Sequence, residues 1–152
     1  MLIIKDIYNL QTYLNAYRDK GYSIGYVPTM GALHEGHGSL IAKSRNDNQK
    51  TIISIFINEK QFNDAQDFEV YPRNKGDDYN FCEKHNVDII FEPSAEEIYP
   101  KEYKSIQNSH FKNILCDQYR PGHFDGVVAV LNRYLVLLKV TKFILEKKIF
   151  SN

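Results

Sequence analysis

The fold of this chain is decided by residues 22–41, which read Y-S-I-G-Y-V-P-T-M-G-A-L-H-E-G-H-G-S-L-I. Ile24 to Val27 are apolar and β-prone, so they predict a buried strand. Pro28 is expected to end that strand, and Thr29-Met30-Gly31 to form a tight turn. A helix is predicted to begin near Gly36 and to carry the remaining apolar residues of the stretch.

A strand that runs into a Gly-rich turn at a helix N-terminus is a favourable place for phosphate, because backbone N–H groups and the positive end of the helix dipole converge there. His34 and His37 lie in this turn, and Gly36 between them lets the backbone approach a ligand closely. Imidazole can donate to a phosphate oxygen and stabilise the charge that develops when pyrophosphate leaves. The alternative is a pair of polar loop residues, since so short a pattern is common by chance. The stretch as a whole favours a nucleotide-phosphate site.

A second candidate site follows residues 51–57, T-I-I-S-I-F-I, which are nearly all apolar or β-branched. They predict a strand buried on both faces, as in a parallel sheet. Asn58 and Gln61 come directly after it, at the end where open α/β sheets bind ligands. The amide of Gln61 both donates and accepts, so it suits a hydroxyl and a carboxylate together. A solvated loop amide is the alternative interpretation.

The remaining chain alternates helix and strand. Asp6 is expected to cap a helix closed by Gly21, and Asn74 one that ends near His85. The other expected segments are a polar loop (63–73), a strand (87–91), irregular chain (93–104), an edge strand (111–115), a long helix opened by the turn 120–126 and a final strand (139–145). Alternation of this kind predicts an α/β fold with a Rossmann-like, doubly wound parallel sheet. Arg73 suits either the steering of an anionic substrate or a surface salt bridge.

Composition limits the class of protein. The 152 residues fit one domain, and 19 basic against 19 acidic residues give no reason to expect nucleic acid or an anionic membrane as a partner. Only Cys82 and Cys116 are present, which excludes a disulfide framework and fits a reducing compartment. With no signal-peptide pattern and no membrane-spanning run, we expect a cytoplasmic protein. The histidines and cysteines show no ligand spacing, so no metal site is predicted.

The ten residues P-T-M-G-A-L-H-E-G-H, Pro28 to His37, resemble the signature of pantothenate synthetases, members of the H-x-G-H nucleotidyltransferase superfamily. Three further blocks resemble the same family in the same order. They are I-S-I-F-I-N-E-K-Q-F (53–62), Y-P-R (71–73) and R-P-G-H-F-D-G-V (120–127). The resemblance extends from the first residues to about Lys142.

The resemblance implies an ATP-dependent ligase that joins pantoate to β-alanine through a pantoyl adenylate, with Mg²⁺ accompanying the nucleotide. ATP would lie along Met30, Gly31, Ala32, Leu33, His34, Glu35, Gly36 and His37. His34 and His37 would contact the phosphates, with His37 as the proton donor. Gln61 would bind pantoate and contribute to the β-alanine site, helped by Asn58. A homodimer is one assembly that the resemblance implies, with no pairing surface assigned.

The sequence departs from the family pattern in three places. Glu59-Lys60 replaces a usual Pro after the Asn, and Gly38 is expected to weaken the first helical turn. The last residues, 143–152, read F-I-L-E-K-K-I-F-S-N, where the family shows F-G-E-K-D followed by an aromatic residue and Gln-Gln. The chain is therefore expected to be an incomplete N-terminal nucleotide-binding domain (1–152), without the family's C-terminal closing domain and with negligible ligase activity alone.

A frameshift is one explanation for this tail. Residues 144–152 encoded as ATT TTG GAG AAA AAG ATT TTC AGC AA- give F-G-E-K-D-F-Q-Q when read two bases later. Coding DNA that cannot give F-G-E-K-D in another frame would exclude the hypothesis. Apolar surface around residues 127–138 is then expected to be bare and to favour association.

Three interpretations follow from the sequence: an active pantoate–β-alanine ligase, a catalytically inactive fragment of that enzyme, or another H-x-G-H adenylyltransferase. Gln61 in its block and the R-P-G-H-F-D-G turn disfavour the third, because neither belongs to the generic superfamily signature.

Overall fold

The structure, a computed structural model, describes residues 1–103 and 123–145. Its centre is a five-stranded sheet with all strand pairs parallel, in the order β1-β4-β3-β2-β5. The described elements are β1 (Leu2–Ile4), α1 (Ile7–Asp19), β2 (Ile24–Thr29), α2 (Glu35–Asp47), β3 (Lys50–Ile55), a 3₁₀ turn (Glu59–Gln61), α3 (Ala65–Val70), α4 (Lys75–Lys84), β4 (Ile89–Phe91), α5 (Ala95–Ile98), α6 (His123–Leu138) and β5 (Lys142–Phe143).

Helices cover both faces of the sheet, so the predicted doubly wound fold is confirmed. On one face α1, α5 and α6 pack on the sheet, with Leu10, Ile98 and Tyr134 in the buried cluster. On the other face α2 and α4 contribute Ile41 and Cys82. Because helices cover both faces, residues 51–56 are all buried, the hydroxyl residues of this strand included.

The order of the strands creates a switch point beside β2. From β2 the chain moves through β3 to β4 on one side, whereas β5 lies on the other side of β2. In open α/β sheets the crevice outside such a switch point, at the carboxyl ends of the strands, is where ligands bind. The two helices nearest this crevice, α2 and α6, lie on opposite faces of the sheet.

Pro28 does not end β2, contrary to the prediction, because β2 continues to Thr29 and Pro28 lies in register with Ser54. The carbonyls of Ile24 and Tyr26 accept from the β5 side of the strand, whereas the carbonyl of Thr29 accepts from Phe56 on the β3 side. By this alternation the nitrogen of Pro28 points to the β5 side, where pairing stops level with Tyr26. Its missing N–H therefore removes no ladder bond.

The cap residues predicted for α1 and α4 are confirmed: Asp6 accepts from the N–H of Asn9, and Asn74 from that of Asp77. Two predictions of irregular chain were wrong. The expected polar loop contains α3, capped by Asp64, and the segment after residue 93 contains α5, capped by Ser94. Each helix is too short to show the apolar period by which a helix is found in a sequence. Strand β1, with three residues, escaped prediction for the same reason.

Four predicted features lie outside the described residues: the edge strand 111–115, the start of the turn at 120–122, Cys116, and the tail from residue 146. In the part of the chain that is described, no helix is long and apolar enough to cross a membrane.

Candidate active site

A cleft of about 180 Å³ opens at the carboxyl end of β2 and β3, at the switch point of the sheet. One wall is the end of β2 and the first turns of α2, and the other is α6. Its lining residues are Pro28, Thr29, Met30, His37, Leu40, Phe56, Asn58, Gln61, Tyr71, Val127, Val130, Leu131 and Tyr134. The cleft thus brings His37 and Gln61 together, as the sequence predicted.

The N-terminus of α2 is capped by the two histidines themselves. Helix α2 begins at Glu35, one residue before the predicted start, and His34 is its N-cap. The Nδ1 atom of His34 accepts from the backbone N–H of Gly36 at 3.1 Å. The Nδ1 atom of His37 accepts in turn from the backbone N–H of His34 at 3.2 Å. The two rings lie 4.2 Å apart between centroids, so they form one unit.

These bonds define the protonation pattern of both imidazoles. Because each Nδ1 accepts a hydrogen bond, it carries no proton, and a neutral imidazole then has its proton on Nε2. His34 and His37 are therefore both neutral Nε2–H donors in this arrangement. A second proton on either ring would place N–H against N–H and break the cap. His37 lines the cleft, whereas His34 is exposed at the rim.

The turn before α2 is held by Asp78, a residue of α4 that nothing in the sequence singles out. Its two carboxylate oxygens accept from the N–H groups of Ala32 at 3.1 Å and Leu33 at 2.9 Å. Asp78 is only 5% exposed. Acidic residues are favoured in the first turn of any helix, so sequence alone does not separate Asp78 from its exposed neighbour Asp77.

The expected phosphate cradle of backbone N–H groups is thus mostly used within the protein. The N–H groups of Ala32 and Leu33 bind Asp78, those of His34 and Gly36 bind imidazole nitrogens, and that of Gly31 lies 3.2 Å from the hydroxyl of Thr29. This corrects the prediction for these five positions. A short turn with two left-handed residues, Gly31 and Ala32, turns its N–H groups inward. The donors at the cleft are imidazoles instead.

Gln61 is oriented by Asn58, which is 1% exposed. The Asn58 amide nitrogen donates to Oε1 of Gln61 and to the carbonyl of Gly126, both at 3.0 Å. Its Oδ1 accepts from the hydroxyl of Tyr99, also at 3.0 Å. Because both protons of the Asn58 amide are used, Asn58 acts here by positioning Gln61. Sequence reasoning placed Asn58 at the ligand, and the structure places it behind Gln61.

Helix α6 approaches the 3₁₀ turn very closely at Gly126. A Cβ atom at this position would lie 2.4 Å from the carbonyl oxygen of Lys60 and 2.5 Å from Cα of Gln61. Further along α6, Val127, Val130 and Tyr134 are buried, so the predicted bare surface on this helix is confined to Leu135 and Val136. The floor of the cleft is apolar: burial raises the pKa of Tyr134 to about 12.

Two further expectations are corrected by side-chain contacts. Arg73 donates to the carbonyls of Phe68, Glu69 and Tyr71, so it closes the C-terminal end of α3. Gly38, expected only to weaken α2, is buried, and a Cβ there would lie 2.9 Å from Nε2 of His85. A glycine at this position lets α2 and α4 approach closely.

No cluster of three or more histidine, cysteine, aspartate or glutamate side chains suited to a metal ion occurs among residues 1–103 and 123–145. The cleft lining, in addition, contains no carboxylate. This donor set suits an anionic ligand and offers no all-protein site for Mg²⁺.

These features define a class of protein: a parallel α/β domain of the nucleotidyltransferase type, with an H-x-G-H helix terminus and an amide facing each other across the switch-point cleft. Comparison with known proteins gives the family. Residues 2–151 match the family model described as pantoate-beta-alanine ligase, and the chain belongs to this family.

Similar proteins agree with this membership. The chain is 45% identical over 149 residues to the pantothenate synthetase of Clostridium botulinum strain Langeland, covering 97% of this chain and 53% of that protein. It resembles the crystal structure of a pantoate-beta-alanine ligase from Francisella tularensis complexed with beta-gamma ATP and beta-alanine, with a TM-score of 0.87 at 38% identity, over 94% of this chain and 55% of that one. The pantothenate synthetase of Thermus thermophilus gives a TM-score of 0.84 at 31% identity, over 94% and 51%. The chain spans about half the length of the curated relatives that it matches.

Proposed function

We propose that this chain provides the nucleotide and pantoate site of a pantothenate synthetase, which condenses pantoate with β-alanine at the expense of ATP. The observation that carries the proposal is the juxtaposition of His37 and Gln61 in one cleft at the carboxyl edge of the sheet. A phosphate donor site and an amide that recognises a hydroxy acid are the two parts that carboxylate activation requires. Family membership supports the same reaction.

The reaction has two steps. A carboxylate oxygen of pantoate attacks the α-phosphorus of ATP, which forms pantoyl adenylate and releases pyrophosphate. The amine of β-alanine then attacks the activated carbonyl, forms the amide and releases AMP. Activation is needed because a carboxylate at neutral pH resists attack by an amine. Orientation and charge stabilisation supply most of the acceleration in such a site.

We propose that ATP lies along residues 30–37 with its phosphates against His34 and His37. Both imidazoles are held as Nε2–H donors by the N-terminal cap of α2. Neutral donors that are already oriented stabilise the negative charge on the leaving pyrophosphate without reorganising during the reaction. The N-terminus of α2 adds the positive end of its dipole. Mg²⁺ would accompany the nucleotide, coordinated chiefly by phosphate oxygens, since the cleft lining holds no carboxylate.

Gln61 is the proposed contact for pantoate. Its Oε1 accepts from Asn58, which turns the amide nitrogen of Gln61 away from Asn58. A nitrogen donor suits both the carboxylate and a hydroxyl oxygen of pantoate. The apolar wall from Val127 to Tyr134 would receive the hydrocarbon part of the same molecule. Gln61 also contributes to the proposed β-alanine site.

Binding measurements test this proposal directly, because they require only the half of the relatives' length that the chain spans. Isothermal titration with Mg-ATP and with pantoate is expected to show binding of both. Gln61→Ala should weaken pantoate binding by about tenfold or more, as expected when a buried hydrogen-bond partner is removed. Gln66→Ala, an exposed glutamine of α3, is the matched control and should leave binding unchanged.

The outcomes separate the interpretations. Binding of both ligands together with formation of pantothenate supports the active ligase. Binding without turnover supports an inactive fragment, and binding of ATP without pantoate favours another H-x-G-H adenylyltransferase. If neither ligand binds, the proposed site is wrong.

A further inference from the structure

Asp78 makes the contact between α4 and the signature turn that best explains the shape of that turn. Two consecutive backbone N–H groups, from Ala32 and Leu33, point at its two carboxylate oxygens. Consecutive N–H groups in such a turn form a concave anion site. Here the anion is a side chain of the protein itself, and it is almost fully buried.

The conformation that Asp78 holds is one that the turn would otherwise not favour. Gly31 has φ of 82° and Ala32 has φ of 51°, both in the left-handed region. This region is easily adopted by glycine and is unfavourable for alanine. A charge-assisted hydrogen bond to each of two N–H groups offsets that unfavourable backbone. Gly31 also fits closely, since a Cβ there would lie 2.9 Å from the Asp78 carboxylate.

The next residue after this turn is His34, the N-cap of α2. We infer that Asp78 is a positioning residue: by binding the N–H groups of Ala32 and Leu33 it sets the entry of the chain into α2, and so aims the paired imidazoles of His34 and His37 at the cleft. Asp78 acts through the turn and does not itself line the cleft. Its benefit to nucleotide binding rests on the proposed function, whereas its effect on the turn does not.

Asp88 offers a matched control. Its carboxylate also accepts a backbone N–H, from Thr51 at 2.8 Å, and it lies just before β4 at the opposite, amino end of the sheet. Asp78→Asn and Asp88→Asn therefore make the same chemical change. In each, an amide NH₂ replaces a carboxylate oxygen that accepted from the backbone.

The first experiment uses nuclear magnetic resonance of the ligand-free chain and its two variants. In Asp78→Asn, the amide protons of Ala32 and Leu33 should exchange with solvent about tenfold faster or more, the effect of losing a charge-assisted bond. The ring ¹⁵N shifts of His34 and His37 should lose the pattern of an Nε2–H tautomer. Asp88→Asn should leave these four signals as in the wild type. Unchanged signals in Asp78→Asn, or equal changes in both variants, would overturn the inference.

The wild-type chain gives a test even if Asp78→Asn does not fold. The amides of Ala32 and Leu33 should be protected from exchange, and free-solvent exchange rates at both would overturn the proposed contact.

A second experiment titrates each protein with Mg-ATP. Asp78→Asn should bind about tenfold more weakly than the wild type, with Asp88→Asn within about twofold, since the latter lies far from the cleft. Equal ATP affinity in the two variants would overturn the positioning role. If wild type fails to bind ATP while the ligand-free signals change as expected, the proposed function fails and the effect of Asp78 on the turn stands.

Discussion

Replacing Gly126 by alanine should destabilise the protein, although alanine is the better helix former. Gly126 lies inside α6, and intrinsic propensity alone predicts that Gly→Ala stabilises a helix interior by about 1 kcal/mol. The structure predicts the opposite sign. The new Cβ would lie 2.4 Å from the carbonyl oxygen of Lys60, 2.5 Å from its carbonyl carbon and 2.5 Å from Cα of Gln61.

The magnitude follows from these distances. Optimal contacts between carbon atoms begin near 3.5 Å, so α6 and the 3₁₀ turn would have to separate by about 1 Å. All three obstructing atoms are backbone atoms, so no change of rotamer relieves the contact. Overpacking costs about 1–3 kcal/mol, and we take about 3 for a purely backbone obstruction. After subtracting the propensity gain, the expected net loss is about 2 kcal/mol, or about 4–8 °C in Tm for a domain of this size.

Urea unfolding followed by circular dichroism measures this difference, with Gly76→Ala as the control. Gly76 lies in the first turn of α4, and a Cβ there would meet only Oδ1 of Asn74, at 3.8 Å. That variant should be as stable as the wild type or gain up to about 1 kcal/mol. The two glycine substitutions therefore should change stability in opposite directions.

The result that refutes this reasoning is a Gly126→Ala variant at least as stable as the wild type, obtained together with a normal Gly76→Ala control. The close approach of α6 to the 3₁₀ turn would then be absent in solution. The hydrogen bond from Asn58 to the Gly126 carbonyl would lose its basis as well.

Three further predictions concern the surroundings of the cleft. Asn58→Ala should lower the unfolding free energy by about 2–3 kcal/mol, because it leaves buried partners unpaired, and should weaken pantoate binding in isothermal titration since Gln61 loses its fixed orientation. Burial raises the pKa of Tyr134 to about 12 from an unfolded value near 10, so its stabilising contribution of about 3 kcal/mol is complete below pH 10 and is lost as pH rises through 12; alkaline unfolding and tyrosinate absorbance should report this. Leu135 and Val136 are 57% and 56% exposed side by side on α6, so we expect concentration-dependent self-association in sedimentation velocity that Val136→Lys diminishes.

Each of these three has a contrary result. Asn46→Ala, at an exposed asparagine, is the control for Asn58, and equal effects of the two variants would contradict the positioning of Gln61. Tyr134→Phe should remove part of the alkaline loss of stability, so an unchanged pH profile in that variant would exclude Tyr134 as its source. A chain that stays monomeric at all concentrations would contradict a role of Leu135 and Val136 in association.

The sheet and the main helices could be predicted from the sequence because their signals are local. Residues 51–57 form an apolar run of strand length, and Asp6 and Asn74 precede helical patterns at the right distance. The features that were missed depend on tertiary contacts. Pro28 is tolerated within β2 only because β5 stops short of it, and that fact depends on a strand more than a hundred residues later.

The candidate site divides along the same line. His34, His37 and Gln61 were found because each stands at the end of a strand or the start of a helix, where chain direction alone predicts convergence. The residues that hold them were not found. Asp78 reaches the turn from a different helix, and Asn58 was assigned to the ligand because a sequence does not show which partners saturate a buried amide.

The supporting residues change how the site is understood to bind an anion. In a glycine-rich phosphate loop the backbone N–H groups are kept for the ligand, whereas here those of Ala32, Leu33, His34 and Gly36 are bound within the protein. The turn therefore keeps its shape without nucleotide, and the ordering cost is met on folding. Because the cleft-facing donors are neutral imidazoles, the attraction for phosphate is directional hydrogen bonding more than net charge. Such a site gains most from a ligand whose oxygens become more negative during reaction, which is the change that occurs when pyrophosphate leaves.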